Sequence, residues 1–323
     1  MNYTMLFLAW ACSLAGNLIV TRLLIPFLHK LKFGQVIREE GPESHKVKSG
    51  IPTMGGIGFI VTPLAVLLVL NPKGYTNFNL IMVVLAFVGY GLVGFIDDFI
   101  IVVKKDNEGL KPRYKMLLQS VLAVTFFIMY RNVAPSTVSI PFTHWVLDLK
   151  WFYFVLVFVM FTGETNAVNL SDGLDGLSSG LVTCATIPFV YFAIRQNQFD
   201  VAMFLVSFLG ALLAYLYYNH FPAKIMMGDT GSLAMGGVLA SSAMVLKQEI
   251  ALVIIGGVFV AEAVSVIIQV GYFKLTGGKR FFRMAPIHHH FELGGMKETE
   301  VVHMFWAIGA GLALLGILMG VTM

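Results

Sequence analysis

The sequence predicts an all-α, polytopic membrane protein with about ten spanning helices and both termini extracytoplasmic. Three observations predict it. Only 12% of the 323 residues are charged, 57% are hydrophobic and the mean hydropathy is +0.80, whereas a soluble domain carries about 25% charged residues. Apolar windows of the roughly 17–25 residues that cross a bilayer recur along the chain. Lys and Arg divide unequally between alternate loops, and their excess marks the cytoplasmic side.

The windows are 4–28, 55–71, 80–98, 116–131, 151–168, 177–195, 201–219, 233–247, 250–273 and 301–321. The first has no Lys or Arg before Arg22. It lacks the basic start of a signal peptide and is expected to be an uncleaved helix. Pro63 and Pro188 fall inside the second and sixth windows, where neighbouring helices can re-satisfy the backbone. The third ends on Asp97 and Asp98. Before the fourth comes a basic run, Lys104, Lys105, Lys111, Arg113 and Lys115, for which attraction to anionic lipid competes with substrate binding. The fifth runs into "NAVNLSDGLDGLSSG", and the seventh ends at Asn219. The ninth carries Glu262 and Gln269, seven residues apart and so on one helix face. Glu262 reads as paired within the bundle, and Gln269, nearer the helix end, as able to reach a site.

Sixteen Lys and Arg fall in the odd-numbered loops and five in the even-numbered ones, Arg22 lying within the first helix. The odd loops, 29–54, 99–115, 169–176, 220–232 and 274–300, are therefore expected in the cytoplasm. The chain reads as a single membrane domain over 1–323, with no repeat or linker. Cys12 and Cys184 have no CxxC partner, and no basic tract suggests nucleic acid.

This topology gathers the unusual polar residues on one side. Asp97, Asp98, Asp172, Asp175 and Asp229 all fall there, with Asn169, Asn219, Lys48 and the histidines His288, His289 and His290. One such aspartate could simply cap a helix; five on one face suggest a site. Asn169, Asp172 and Asp175 recur at i,i+3, on adjoining parts of a helical face. Hard oxygen donors without cysteine point to Mg²⁺, which takes one or two carboxylates and completes its shell with water and phosphate. In "GDTGSL", Asp229 precedes Thr230 and Ser232 at a helix start whose free N–H groups would favour a phosphate. Three adjacent histidines diverge on a helix and suit zinc poorly. With Arg280 and Arg283 nearby they read better as contacts to phosphate or sugar.

The segments "IPTMGG", "GFIDD", "NAVNLSDGLDGL", "MGDTGSLAMGG" and "APIHHHFELGG" resemble those of the bacterial phospho-N-acetylmuramoyl-pentapeptide transferases, or translocase I. These belong to the wider polyprenyl-phosphate N-acetylhexosamine-1-phosphate transferases. The likeness runs from about residue 40 to 300 in the family's order, and the tri-histidine segment is its most specific part. The resemblance implies an enzyme of peptidoglycan synthesis in the bacterial plasma membrane, its active site facing the cytoplasm. It would transfer phospho-N-acetylmuramoyl-pentapeptide from UDP to undecaprenyl phosphate, giving lipid I and UMP, with Mg²⁺ as cofactor. By the same resemblance Asp229 holds Mg²⁺, Asp97 activates the lipid phosphate and Asp98 supports either role, with His288 also catalytic. Asn169, Asp172 and Asp175 would contact the uridine end. Lys48, His289 and His290 would hold phosphates and sugar, with Asn219, Ser232 and Gln269 behind them. A homodimer is compatible with this reading. Two positions depart from the family pattern: Ile51 replaces the usual Thr, and Met226 replaces a Phe that could stack on uracil.

Two rivals stand beside this reading. A GlcNAc-1-phosphate transferase shares the acidic segments but not the "APIHHHFELGG" form. A secondary transporter would hold its carboxylates near the midplane between repeats, whereas here they sit at one boundary.

Overall fold

The computed structural model describes residues 3–31, 50–104, 109–143 and 145–321; Lys48 and Lys105 lie outside them. Every apolar window becomes helical. The long helices are α1 (Tyr3–Lys30), α2 (Gly56–Leu70), α3 (Phe78–Lys104), α4 (Pro112–Tyr130), α5 (Tyr153–Leu170), α6 (Leu177–Arg195), α7 (Phe199–Asn219) and α8 (Gly228–Val245). The short α9 (Glu249–Ile255) precedes α10 (Gly257–Leu275), α11 (Ile287–Glu292) and α12 (Glu298–Val321). Seven of the described helices, α1, α3, α5, α6, α7, α10 and α12, are long and apolar enough to cross a membrane. The chain is a helical, multi-pass membrane protein.

The remaining windows show why apolar length alone undercounts or merges elements. Along α8 every residue from Thr230 to Val245 is buried, so this helix meets other helices rather than lipid. Small residues that permit close approach replace large apolar ones there. A Cβ on Gly94 of α3 would strike the backbone of Asp229, and one on Gly236 of α8 would strike the α5 backbone at Thr165. The window 250–273, read as one helix, is divided at Gly256 into α9 and α10. Paired glycines weaken a helix interior, and the buried Glu164 carboxyl lies against Gly256, 3.3 Å from where a Cβ would stand.

The all-α expectation also needs one correction. The connection after α4 holds a small antiparallel hairpin, β1 (Thr137–Ser139) with β2 (Val146–Asp148), Thr137 facing Asp148 and Ser139 facing Val146. Strands this short leave no period in the sequence to read. Lys247, just beyond α8, donates to Tyr130 Oη at 3.1 Å and to the Thr137 carbonyl at 2.5 Å, and pairs with Glu249 Oε1 at 2.8 Å. One cation thus fastens the hairpin to the end of α8 opposite Asp229.

At this same end, Asp200 of α7 accepts Asn71 Nδ2 at 2.7 Å and Asn77 Nδ2 at 2.8 Å, tying the α2–α3 connection to the α6–α7 turn. Asp200→Ala should leave two half-buried amides short of an acceptor and lower stability by about 1–3 kcal/mol. A lower unfolding midpoint in detergent with unchanged turnover is the expected result.

Candidate active site

The polar ends of α3, α4, α5 and α8 converge at one end of the bundle. Asp97, in the last two turns of α3, accepts the Leu110 N–H at Oδ1 (2.6 Å), and its Oδ2 lies 3.4 Å from Lys115 Nζ. Lys115, in the first turn of α4, also pairs closely with Asp229 Oδ2. Asn169, at the end of α5, donates to Asp229 Oδ1 at 2.7 Å and to Ser232 Oγ at 2.8 Å. Ser232 in turn donates to the Gly228 carbonyl at 3.1 Å. Two carboxylates, one ammonium and one carboxamide are thus held together by four helices.

Asp98 faces elsewhere. Its Oδ1 accepts the Asp229 N–H at 3.1 Å, and its Oδ2 accepts the Thr230 N–H at 2.9 Å and the Thr230 hydroxyl at 2.6 Å. These are the N–H groups at the start of α8 that the sequence left for a phosphate. A carboxylate from another helix caps them instead, satisfying orphan donors and the helix dipole together. Gly228, at φ +68° and packed against the Asp98 carboxylate, makes the turn that brings Asp229 beside it. Asp98 thereby sets the height of Asp229 and does not open toward a ligand.

Backbone bonds fix the segments on either side. "IPTMGG" and "IMMGD" pair through Met226 N–H to Pro52 O (2.8 Å), Gly55 N–H to Met226 O (2.9 Å) and Gly56 N–H to Met227 O (3.2 Å). Met226 is itself buried, its Sδ 4.0 Å from Asn219 Nδ2, so this side chain presents no open face to a base. Asn219 is 1% exposed, accepts the Ser179 hydroxyl at 2.9 Å and donates to the Ile225 carbonyl at 3.0 Å. It shapes the α7–α8 loop rather than facing the cleft. Asp175 Oδ2 accepts the Ala223 N–H at 2.8 Å, and the Asp175 N–H donates to Glu298 Oε1 at 2.8 Å. Asp172, three residues earlier, is half-buried on the same turn. Ile51 lines a cavity of about 700 Å³ together with Asp175, Phe221, Glu292 and Glu298.

The three histidines have separate surroundings, as expected of adjacent residues on a helix. His288 is wholly buried, its Nδ1 3.1 Å from Glu262 Oε1. His289 Nδ1 lies 3.2 Å from Glu292 Oε2. His290 is half-buried and accepts the Arg283 N–H at Nδ1, 3.1 Å away. Gln269 Oε1 accepts the N–H groups of Phe281 and Phe282 at 3.2 and 2.8 Å. It therefore orders the α10–α11 loop instead of reaching the acidic cluster.

Reasoning from sequence missed Lys115 as the cation between Asp97 and Asp229. Pro112 at the start of α4 is a helix-start signal, and it places Lys115 in the first turn. Which way that turn faces is set by packing. Glu298, which holds the Asp175 turn, carried no motif at all.

The model of glycosyl transferase family 4 matches residues 80–247, the stretch that holds Asp97, Asp98, Lys115, Asn169 and Asp229. A phospho-N-acetylmuramoyl-pentapeptide-transferase of Bacillus mycoides (strain KBAB4) is 53% identical over 304 residues, covering 93% of each chain. Those of Bacillus thuringiensis (strain Al Hakam) and Bacillus cereus (strain AH187) are each 52% identical over 303 residues, again covering 93% of both chains. The chain belongs to the phospho-N-acetylmuramoyl-pentapeptide-transferase group of glycosyl transferase family 4. In this family member the matched segment spans α3 to α8, the helices that enclose the cluster. The histidine segment lies beyond it, on α11, where His288 packs against Gly173 of the α5–α6 turn.

Proposed function

We propose that the chain transfers phospho-N-acetylmuramoyl-pentapeptide from its UDP-linked donor to undecaprenyl phosphate, forming lipid I and UMP. The observation that carries this reading is the convergence of Asp97, Lys115 and Asp229 at one end of a membrane bundle. A soluble donor and a lipid acceptor can meet only at such a boundary. In the reaction an oxygen of the lipid phosphate attacks the sugar-linked phosphorus, its bond to the bridging oxygen breaks, and UMP leaves.

The residues fit Mg²⁺. Asp97 and Asp229 both direct an oxygen at one point, now met by Lys115 Nζ, and two carboxylates are what this ion takes from protein. No three His, Cys, Asp or Glu among the described residues cluster as an all-protein cage requires. When bound, the ion would offset charge on the two phosphates. Asp229 is its ligand in this reading, and Asn169 fixes the Asp229 carboxylate. Asp97 orients the lipid phosphate and accepts its proton, and Lys115 supplies charge to the reacting phosphates. Asp172 and Asp175 face the uridine end, and His289 and His290 the phosphates and sugar. Asp98, Asn219, Ser232 and Gln269 position these groups.

Purified protein supplied with undecaprenyl phosphate, Mg²⁺ and either UDP-N-acetylmuramoyl-pentapeptide or UDP-GlcNAc should release UMP with the first donor only. UMP from UDP-GlcNAc would move the chain to the related GlcNAc-1-phosphate transferases.

The location follows as part of the same proposal: a bacterial plasma membrane, the acidic cluster on the cytoplasmic side and both termini outside. The excess of Lys and Arg in the odd loops supports it. Thr76 and Lys279 are both exposed and lie in loops of opposite parity. Thr76→Cys should react with an impermeant thiol reagent from outside and Lys279→Cys only after permeabilisation. Labelling of both in intact cells would overturn this orientation.

A further inference from the structure

Within the apolar run "MLLQSVLAV" of α4 stands one carboxamide, Gln119. A polar side chain inside a membrane bundle is costly and marks a task. Gln119 is 1% exposed, and three helices meet on it. From α3, the Tyr90 hydroxyl donates to the Gln119 carbonyl at 3.1 Å. From α5, Asn166 Nδ2 donates to Gln119 Oε1 at 2.9 Å and to the Thr162 carbonyl at 2.7 Å. A carbonyl only accepts, so the Asn166 amide must turn its nitrogen to that side. Gln119 is thereby held with Oε1 toward Asn166, and its Nε2 meets no hydrogen-bond partner among the described residues.

Each member of this junction lies beneath a residue of the acidic cluster. Tyr90 precedes Asp97 by seven residues, Gln119 follows Lys115 by four and Asn166 precedes Asn169 by three. These spacings place each pair on one helix face. The helices that carry Asp97, Lys115 and Asn169 are therefore joined at Gln119, just below the point where those side chains meet Asp229. We infer that Gln119 is a positioning residue for the transfer. It fixes the rotation of α4 against α3 and α5, and so keeps Lys115 Nζ between the Asp97 and Asp229 carboxylates. This rests on the transfer reading above, in which Lys115 supplies charge to the reacting phosphates. An unpartnered buried Nε2 is destabilising. A side chain that only filled the space between α4 and α5 would be better apolar.

That contrast supplies the test. Gln119→Met keeps the length of the side chain and removes both the acceptor for Asn166 and the orphaned donor. Its unfolding midpoint in detergent should be unchanged or raised, since apolar replacement of a partly unpaired buried amide is neutral or stabilising. Turnover in UMP release should nevertheless fall roughly tenfold, short of the hundredfold that a misplacement of about 1 Å costs. KM for UDP-N-acetylmuramoyl-pentapeptide should not change. A second readout needs no substrate. The Lys115 side chain, now 18% exposed and held by two carboxylates, should react faster with an acetylating reagent, as read by mass spectrometry of its peptide. Because Gln119 acts through Lys115, the same substitution in a Lys115→Met background should lower the residual turnover no further. Unchanged turnover, unchanged reactivity of Lys115 or losses that multiply in the double variant would each overturn the inference. So would a lowered midpoint, the mark of a merely structural bond. Absence of UMP release by the unmodified protein would instead overturn the transfer reading, and the reactivity of Lys115 would still test the junction.

Discussion

Asp229→Asn is expected to lower turnover at least a hundredfold while leaving the fold intact. Asn is nearly isosteric and can still accept the Asn169 amide that now bonds Asp229 Oδ1 at 2.7 Å. What it lacks is the charge that pairs with Lys115 and that, in the proposed reaction, would hold a divalent cation between two phosphates. Loss of one preorganised electrostatic contact costs roughly 3 kcal/mol of transition-state stabilisation, which is about a hundredfold in rate. Higher Mg²⁺ should recover part of the loss, because weakened binding of the ion is the main defect. Asp175→Asn, by contrast, should weaken donor binding and leave the Mg²⁺ dependence unchanged. UMP release followed across a Mg²⁺ titration checks both variants, and near-normal turnover of Asp229→Asn at low Mg²⁺ would move the ligand to Asp97.

Asp98→Ala should do damage of a different kind. It strips the acceptor from two backbone N–H groups and one hydroxyl at the buried start of α8. With each orphaned donor worth about 1–3 kcal/mol, the loss of stability should reach at least about 3 kcal/mol. Turnover should fall with it, since Asp229 is the second residue of α8 and moves with that helix end. Asp98→Asn, which keeps one acceptor oxygen, should be milder in stability. Raised Mg²⁺ should recover neither variant. The check is a pair of measurements, unfolding midpoint in detergent and Mg²⁺ titration of turnover. Recovery of Asp98→Asn by Mg²⁺ would show that Asp98 meets the ion after all.

Much of the architecture was legible because its cause is local. Ten apolar windows became helices, since a stretch with no water around it must satisfy its own backbone. Two features escaped. The Gly256 break was hidden because residues 250–273 are apolar on both sides of it, and the β1–β2 hairpin because three-residue strands show no alternation. The site was legible in part. The aspartates and amides could be assigned to one end of the bundle from loop charge alone, but their partners could not. Lys115 belonged to a basic run with an equally good reason to face lipid. Asp98, adjacent to Asp97, shared its motif and not its role.

The sequence by itself determined the solvent of this protein, the number and order of its apolar segments, and the inventory of groups at their ends. These follow from composition and from residues close along the chain. Only the tertiary structure decided that Asp98 caps α8, that Lys115 stands between Asp97 and Asp229, that Asn219 and Gln269 shape loops, and that His288 is buried against Glu262. Asp98 meets Thr230 across 132 residues and Lys115 meets Asp229 across 114, Asn219 meets Ser179 of α6 across 40, and Gln269 and His288 depend on the path of the α10–α11 loop. A side chain's partner across an interface is set by how the helices pack, and helix packing here is governed by small residues such as Gly94 and Gly236 whose effect on distant carboxylates has no local signature.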